Sequence, residues 1–400
     1  MKRKWCNKIA LVLALLASML CLTGCWGKRE VEDLSPLIGL GFDLGQKPGT
    51  YLITEQFVKP KKGDTTISAD VDRTFSLEAS SLREAYEMIS KIAYRVPFMG
   101  SLKVIVIGED LAKAGLMNVL DFTQRYAEFR RSMYLVLAKG KAQDILNTKM
   151  RSGTLTAMYI KNNIESGDTI STFPTVRLGH YFTVLARKST APIIPVIERT
   201  KSGDGGIEYK SESKEAQELR IQGAGVFRGD LLSGFLNDEE TKGYMWLENQ
   251  VQQRLIDTVD LDKSQINYAG QVLNSTTKYH VKTIDGTIGL EYKIKVNIAV
   301  DEVLGMKEQV SELEWVDLMQ EAEQRFTKVI ENECQSSFQK ERELSLDFLG
   351  IGRHIEERNP AYWKTVKDQW QEKIADFPVS LDVQVTIHHS GMSDSSATTN

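Results

Sequence analysis

The sequence predicts an α+β (mixed α/β) fold, with mixed or antiparallel sheets packed against helices. Three observations carry it. Strand-like and helix-like segments alternate between Tyr51 and Lys141, the order that builds a mixed layer. Tyr279–Ile284 and Ile288–Val300 flank the turn Asp285-Gly286 as a long hairpin. From Ser311 to about Leu344 runs an amphipathic helix, some 50 Å long at about 1.5 Å per residue.

The chain begins differently. Met1-Lys2-Arg3-Lys4 and Lys8 form a cationic start, and Ile9–Leu22 is a nearly unbroken apolar run of 14 residues. That is short of the roughly 20 residues needed to span hydrocarbon, so residues 1–24 read as a secretory signal. The segment Leu22-Thr23-Gly24-Cys25 resembles the lipobox of bacterial lipoprotein processing. The resemblance implies cleavage before Cys25, an S-diacylglyceryl thioether and an N-acyl (palmitate-like) chain on it. A plain signal peptide or an uncleaved anchor is the alternative. Two acyl chains on one residue suit stable anchoring, because one chain holds only marginally. With Cys6 and Cys21 in the signal, Cys334 is left as the remaining thiol and no internal disulfide can form.

Residues 25–36 form a short tether. Trp26, Lys28 and Arg29 are placed to meet the membrane interface and its anionic headgroups; Trp26 packed on the first domain is an equal alternative.

An N-terminal α/β domain is expected over 26–150. Tyr51–Val58 and Arg73–Ala79 read as strands, and Ser81-Leu82-Arg83-Glu84 is a capping box opening a helix to about Tyr94. Leu102–Ile107 reads as a buried strand, Leu116–Arg130 as a helix, Met133–Ala138 as a strand, and a short helix follows Lys141. A middle domain covers 151–250. Within it Thr154–Ile164 and Thr175–Ala186 look helical, Pro192–Glu198 extended, and the polar stretch 201–217 a loop. Ile221–Phe227 and Leu231–Leu236 form a hairpin about Arg228-Gly229-Asp230, then Asn237 and Glu240 cap a helix. The C-terminal α+β domain covers 251–390. On its hairpin Tyr292, Ile294, Val296, Ile298 and Val300 share one face. Leu313, Val316, Phe326, Val329, Ile330 and Phe338 make the long helix's apolar stripe. Asn359-Pro360 opens a further helix bearing Trp363 and Trp370, Val379–His388 is a closing strand, and 391–400 a disordered tail.

Chemistry is sparse. A net charge of −4 draws no nucleic acid, and no nucleophile elbow, phosphate loop or zinc helix occurs. His388-His389 falls on a strand, whose neighbours point to opposite faces, so no shared metal is expected. Cys334 lies on the apolar side of the long helix and reads as a structural thiol. Gly39-Leu40-Gly41 and Gly350-Ile351-Gly352 read as tight turns, and Lys59-Pro60-Lys61-Lys62 as a solvated loop. No catalytic residue, metal or cofactor is assigned.

Several stretches together resemble the Ger(x)C family, the lipoprotein C subunits of spore nutrient-germinant receptors. They are Gly24-Cys25-Trp26-Gly27-Lys28-Arg29-Glu30-Val31, Ile38-Gly39-Leu40-Gly41-Phe42-Asp43, and Ser81 to Ala85 followed by Leu102 to Ala112. Then come Ile221 to Phe227 with Asp230, Leu231, Gly243, Trp246 and Leu247, and Asp347 to Gly352 with Pro360, Trp363, Trp370 and Phe377. Met99-Gly100-Ser101 departs from the pattern, where many members carry a histidine. The resemblance implies a three-domain, non-enzymatic body. It also implies assembly with the integral membrane A and B subunits, at the bilayer through Cys25, on the outer face of the spore inner membrane. A solute-binding lipoprotein of a membrane transporter is the alternative.

Overall fold

A computed structural model describes residues 34–58, 73–92, 95–150, 152–200, 218–259, 266–305 and 311–389, together with Trp5. The rest of the signal segment, Cys25, Trp26, Lys28, Arg29, Lys59–Lys62, the 201–217 stretch and the 391–400 tail lie outside the described residues.

The strands form two sheets. The first contains β1 (Leu34–Leu44), β2 (Tyr51–Phe57), β3 (Arg73–Ala79), β4 (Val96–Phe98), β5 (Val104–Gly108), β6 (Tyr134–Ala138), β7 (Ile193–Thr200), β8 (Glu218–Arg228) and β9 (Leu231–Leu236). Its order is β3-β2-β1-β5-β6-β7-β8-β9, with β4 on the start of β1. The central strands β1, β5, β6 and β7 run parallel, and antiparallel pairs flank them on both sides. Segments 34–138 and 193–236 thus share one sheet.

Helices cover both faces, which is why β5 and β6 are buried at every position. On one face α1 (Leu82–Ile92), α2 (Glu109–Ala114), α3 (Met117–Arg125) and α6 (Leu178–Leu185) pack on Leu40, Phe42, Ile105, Ile107 and Phe227. On the other, α4 (Ala142–Leu146) and α5 (Thr156–Ile170) pack on Ile38, Val104, Val106 and Val136. Here the Gly39-Leu40-Gly41 expectation is corrected: the segment lies inside β1. A Cβ at Gly39 would stand 2.7 Å from that of Ala157, and one at Gly41 3.0 Å from Leu146. Both glycines let helices approach the strand.

The second sheet, in order, is β10 (Arg254–Asp257), β11 (Asn267–Ile284), β12 (Thr287–Leu304) and β13 (Val379–His389). Tyr292, Ile294, Val296, Ile298 and Val300 are all buried, as their period of two required. β11 starts twelve residues before the expected Tyr279, and β13 joins β12 in parallel. Against this face pack α7 (Asp238–Leu247), α8 (Glu312–Leu344), α9 (Ile351–Arg358), α10 (Pro360–Val366) and α11 (Trp370–Lys373). Ser311 and Glu314 close a capping box at the start of α8, as Asn237 and Glu240 do for α7. At α1 the box is shifted: Ser81 takes the Glu84 N–H, but Glu84 reaches back to the Ser80 N–H.

Three expectations change. Leu313 and Val316 are 75% and 50% exposed, so the apolar stripe of α8 reaches the core only at Leu318 and Met319 and is fully buried from Ala322 onward. The helix from Pro360 breaks at Lys367–Gln369 into a 3-10 turn, which re-aims Trp370. Gly350 is a turn residue, at φ 64°, but α9 follows it at once.

α7 and α8 touch through Gly243. A Cβ there would lie 1.9 Å from the Glu333 carbonyl oxygen. Gly243→Ala is expected to cost about 2–3 kcal/mol in urea unfolding, because backbone on backbone cannot yield; an unchanged midpoint would show that the crossing is loose.

Candidate functional site: a buried polar seam

Side chains that pure packing does not explain gather where the second sheet and its helices meet the first. Three clusters of buried charge define the place.

The first sits between α7, α8 and β10. Arg254 and Glu333, each with under a tenth of its side chain exposed, form a two-pronged ion pair, with one bond at 2.8 Å. Trp246 Nε1 donates to Glu333 Oε2 at 2.7 Å, and the Arg254 guanidinium stands over the Trp246 ring at 5.5 Å. One carboxylate thereby ties a helix, a strand and a second helix together.

The second lies at the end of α8. Asp347 takes the N–H groups of Ile351 and Gly352 at 2.7 and 2.6 Å, and Trp370 Nε1 at 2.7 Å. It is an acid at the positive end of α9. Glu341, fully buried beside it, takes the Leu349 N–H at 3.1 Å. Burial, then the Asp347 charge, pushes Glu341 well above the usual carboxyl range. Burial lifts Asp347 to about 6 against the three donors. Both acids are thus held more protonated than free carboxyl groups, because each is buried and each charge opposes the other. The Asp347 carbonyl also accepts the Ala191 N–H at 2.6 Å, which stitches α9 to the first sheet just before β7.

The third borders a cavity of about 300 Å³ between α6 and the corner of α7 and α9, walled by His180, Arg187, Tyr244, Glu248, Phe348 and Arg353. Arg353 holds both Glu248 oxygens, at 2.8 and 2.7 Å. His354 stacks on Tyr279 at 3.6 Å between ring centres. Partial desolvation, then the Arg353 charge, holds His180 below its ordinary value.

The same logic recurs inside the first sheet. Asp43 takes the N–H groups of Ala142 and Gln143 at 2.8 and 2.9 Å, capping α4 from another strand. A Cβ at Gly108 would lie 1.9 Å from Asp43 Oδ1, so only glycine fits beside that carboxylate. Asp230, in the β8–β9 turn, takes the Met117 N–H at 2.9 Å at the start of α3.

Among the described residues no group of three His, Cys, Asp or Glu is placed to hold a metal ion. His388 is exposed and bonds Asn297 at 2.9 Å. Cys334 is fully buried, and burial pushes its thiol well above the ordinary value, the behaviour of a packing residue. No described helix is long and apolar enough to cross a membrane. Sequence reasoning passed over Glu333 and Glu341. Both lie on the buried side of α8 with Cys334 and Phe338, and a carboxylate on that stripe was the available signal.

A mixed α/β body whose motif residues act as joints, with charges spent on holding elements together, is the class that this architecture defines. Residues 27–199 match the model of the spore germination protein N-terminal domain, and residues 222–391 that of the spore germination B3/GerAC-like C-terminal domain. Spore germination protein KC of Bacillus subtilis (strain 168) is 25% identical over 96% of this chain and 97% of its own. Spore germination protein B3 of the same organism is 24% identical over 93% and 96%. The crystal structure of the GerBC protein superposes with a TM-score of 0.55 at 20% identity, covering 87% of this chain and 96% of that one, and so shares the fold. The chain belongs to the Ger(x)C family of spore germination proteins.

Proposed function

We propose that this protein is the lipoprotein subunit of a nutrient-germinant receptor, a non-enzymatic body that assembles with two integral membrane subunits to trigger spore germination. One observation carries the reading: the two germination-domain models together span nearly all of residues 27–391. Leu22-Thr23-Gly24-Cys25 supports a lipid anchor on Cys25, at the outer face of the spore inner membrane. With β1 starting at Leu34, nine residues past Cys25, the tether reaches at most about 32 Å, at about 3.5 Å per residue. That holds the body against membrane partners.

Deleting the chain should abolish the germination response to one nutrient class and spare others; an unaltered response to every nutrient refutes the role. Cross-linking in intact spores should recover two multispanning neighbours. Cys25→Ala should leave the unfolding midpoint of the body unchanged and move the protein from the membrane to the soluble fraction. Retention after salt washing would mean that partner contacts, rather than the lipid, hold it.

A further inference from the structure

β13 closes the second sheet, and its outer edge has no strand beside it among the described residues. It pairs with β12 in unbroken register from Leu290↔Val379 to Ile298↔Ile387. The Pro378 carbonyl accepts the Leu290 N–H, so even-numbered residues turn their backbone toward β12. Odd-numbered residues turn theirs outward. The Ile387 N–H, one of these, is taken by the Glu323 carboxylate at 2.9 Å.

The strand reads Val379-Ser380-Leu381-Asp382-Val383-Gln384-Val385-Thr386-Ile387. Between Val379 and Ile387 it carries one charge and neither lysine nor proline, so the protection of this edge is confined to its end, where Glu323 holds the Ile387 N–H and the register shifts. Its side chains toward α8, Val379, Leu381, Val383, Val385 and Ile387, are only half-buried. In the adjoining row Tyr292, Ile294, Val296 and Ile298 are at most 1% exposed. The apolar layer thus stops one strand short of completion.

This edge is complementary to itself. An antiparallel pair about a two-fold axis through Val383 sets 383 against 383, 381 against 385 and 379 against 387. Every such pair is aliphatic, and residues 381, 383 and 385 have their backbone groups facing outward to exchange hydrogen bonds, while the Ile387 N–H held by Glu323 ends the ladder. On the wet face Asp382 meets Gln384 and Ser380 meets Thr386, so the one charge never meets its own copy. The axis stands perpendicular to the sheet and brings both copies of α8 to one face, over the half-buried row. We propose that β13 is a homodimerisation edge, joining two copies of this chain into one continuous eight-stranded sheet.

The test uses the full mature chain in detergent micelles, with sedimentation to read its oligomeric state. The wild type should sediment as a dimer at micromolar concentration. Val383→Cys should form an intermolecular disulfide on mild oxidation, because residue 383 faces its own copy, whereas Gln384→Cys should not. Cys334 is buried and does not compete. Val385→Lys should weaken self-association by at least about tenfold, with the circular dichroism spectrum unchanged. A monomer at every concentration overturns the proposal. So does equal cross-linking at 383 and 384, or a Val385→Lys variant as dimeric as wild type. Pairing of β13 with a strand from a different polypeptide, captured by the same cysteine while the pure chain stays monomeric, overturns it as well.

Discussion

Asp347→Ala will lower the stability of the protein by about 4 kcal/mol, measured by urea unfolding at pH 7. The figure follows from three buried donors losing their acceptor, each worth about 1–3 kcal/mol when left orphaned. Those donors are the Ile351 and Gly352 N–H groups and Trp370 Nε1. The methyl group left behind cannot fill the space, and a carboxylate-sized gap opens beside Trp370. Asp347→Asn keeps one acceptor oxygen and should cost about half as much. Glu341→Gln is the control. Its amide can still donate toward residue 347 and its carbonyl can still accept the Leu349 N–H, so the loss should stay within about 1 kcal/mol. Amide exchange supplies a second readout: the Ala191 N–H, which ends on the Asp347 carbonyl, should exchange faster in Asp347→Ala than in Glu341→Gln. If the alanine variant is no less stable than the glutamine variant, the carboxylate does not hold this joint.

The same joint shows what could be read from the chain. β12 announced itself because one face is core and the other water, and alternation is the direct imprint of that contrast. The first half of β11 did not. Asn267, Gln271, Asn274, Ser275 and Lys278 are weak strand formers, and the strand is long because β12 offers it a partner to Leu304. α9 was missed for a related reason. Its start is fixed by a carboxylate in the preceding loop and by Gly350 at positive φ, while Ile351–Arg358 carries no cap of its own. Gly39 and Gly41 look like turn glycines until the helices they admit are in view. The polar seam was harder still. Glu333 and Glu341 stand in a helix crowded with charge, and only the position of each relative to Phe338 separates a buried acid from a solvated one. Of the candidate site residues, Cys25, Trp26, Lys28 and Arg29 rest on sequence grounds.

Glu55 poses the opposite case, a buried acid with nothing to hold. It lies in the middle of β2, opposite Leu40 of β1 and Phe75 of β3, at 0% exposure, and neither carboxylate oxygen has a hydrogen-bond partner. Burial alone pushes it up to about 7, from an ordinary 4.5. The fold therefore binds this proton more tightly than the unfolded chain does. Its contribution to stability is complete below pH 4.5 and is lost as pH rises through about 7. Glu55→Gln removes the titration and keeps the shape. At pH 8 the variant should be more stable than wild type by about 3 kcal/mol, at roughly 1.4 kcal/mol per pKa unit, and at pH 5 by about 1 kcal/mol or less. Urea unfolding of both proteins at pH 5, 6.5 and 8 reads the difference directly. Parallel pH profiles would mean that water reaches Glu55 in solution and that β2 opens far more readily than its packing implies.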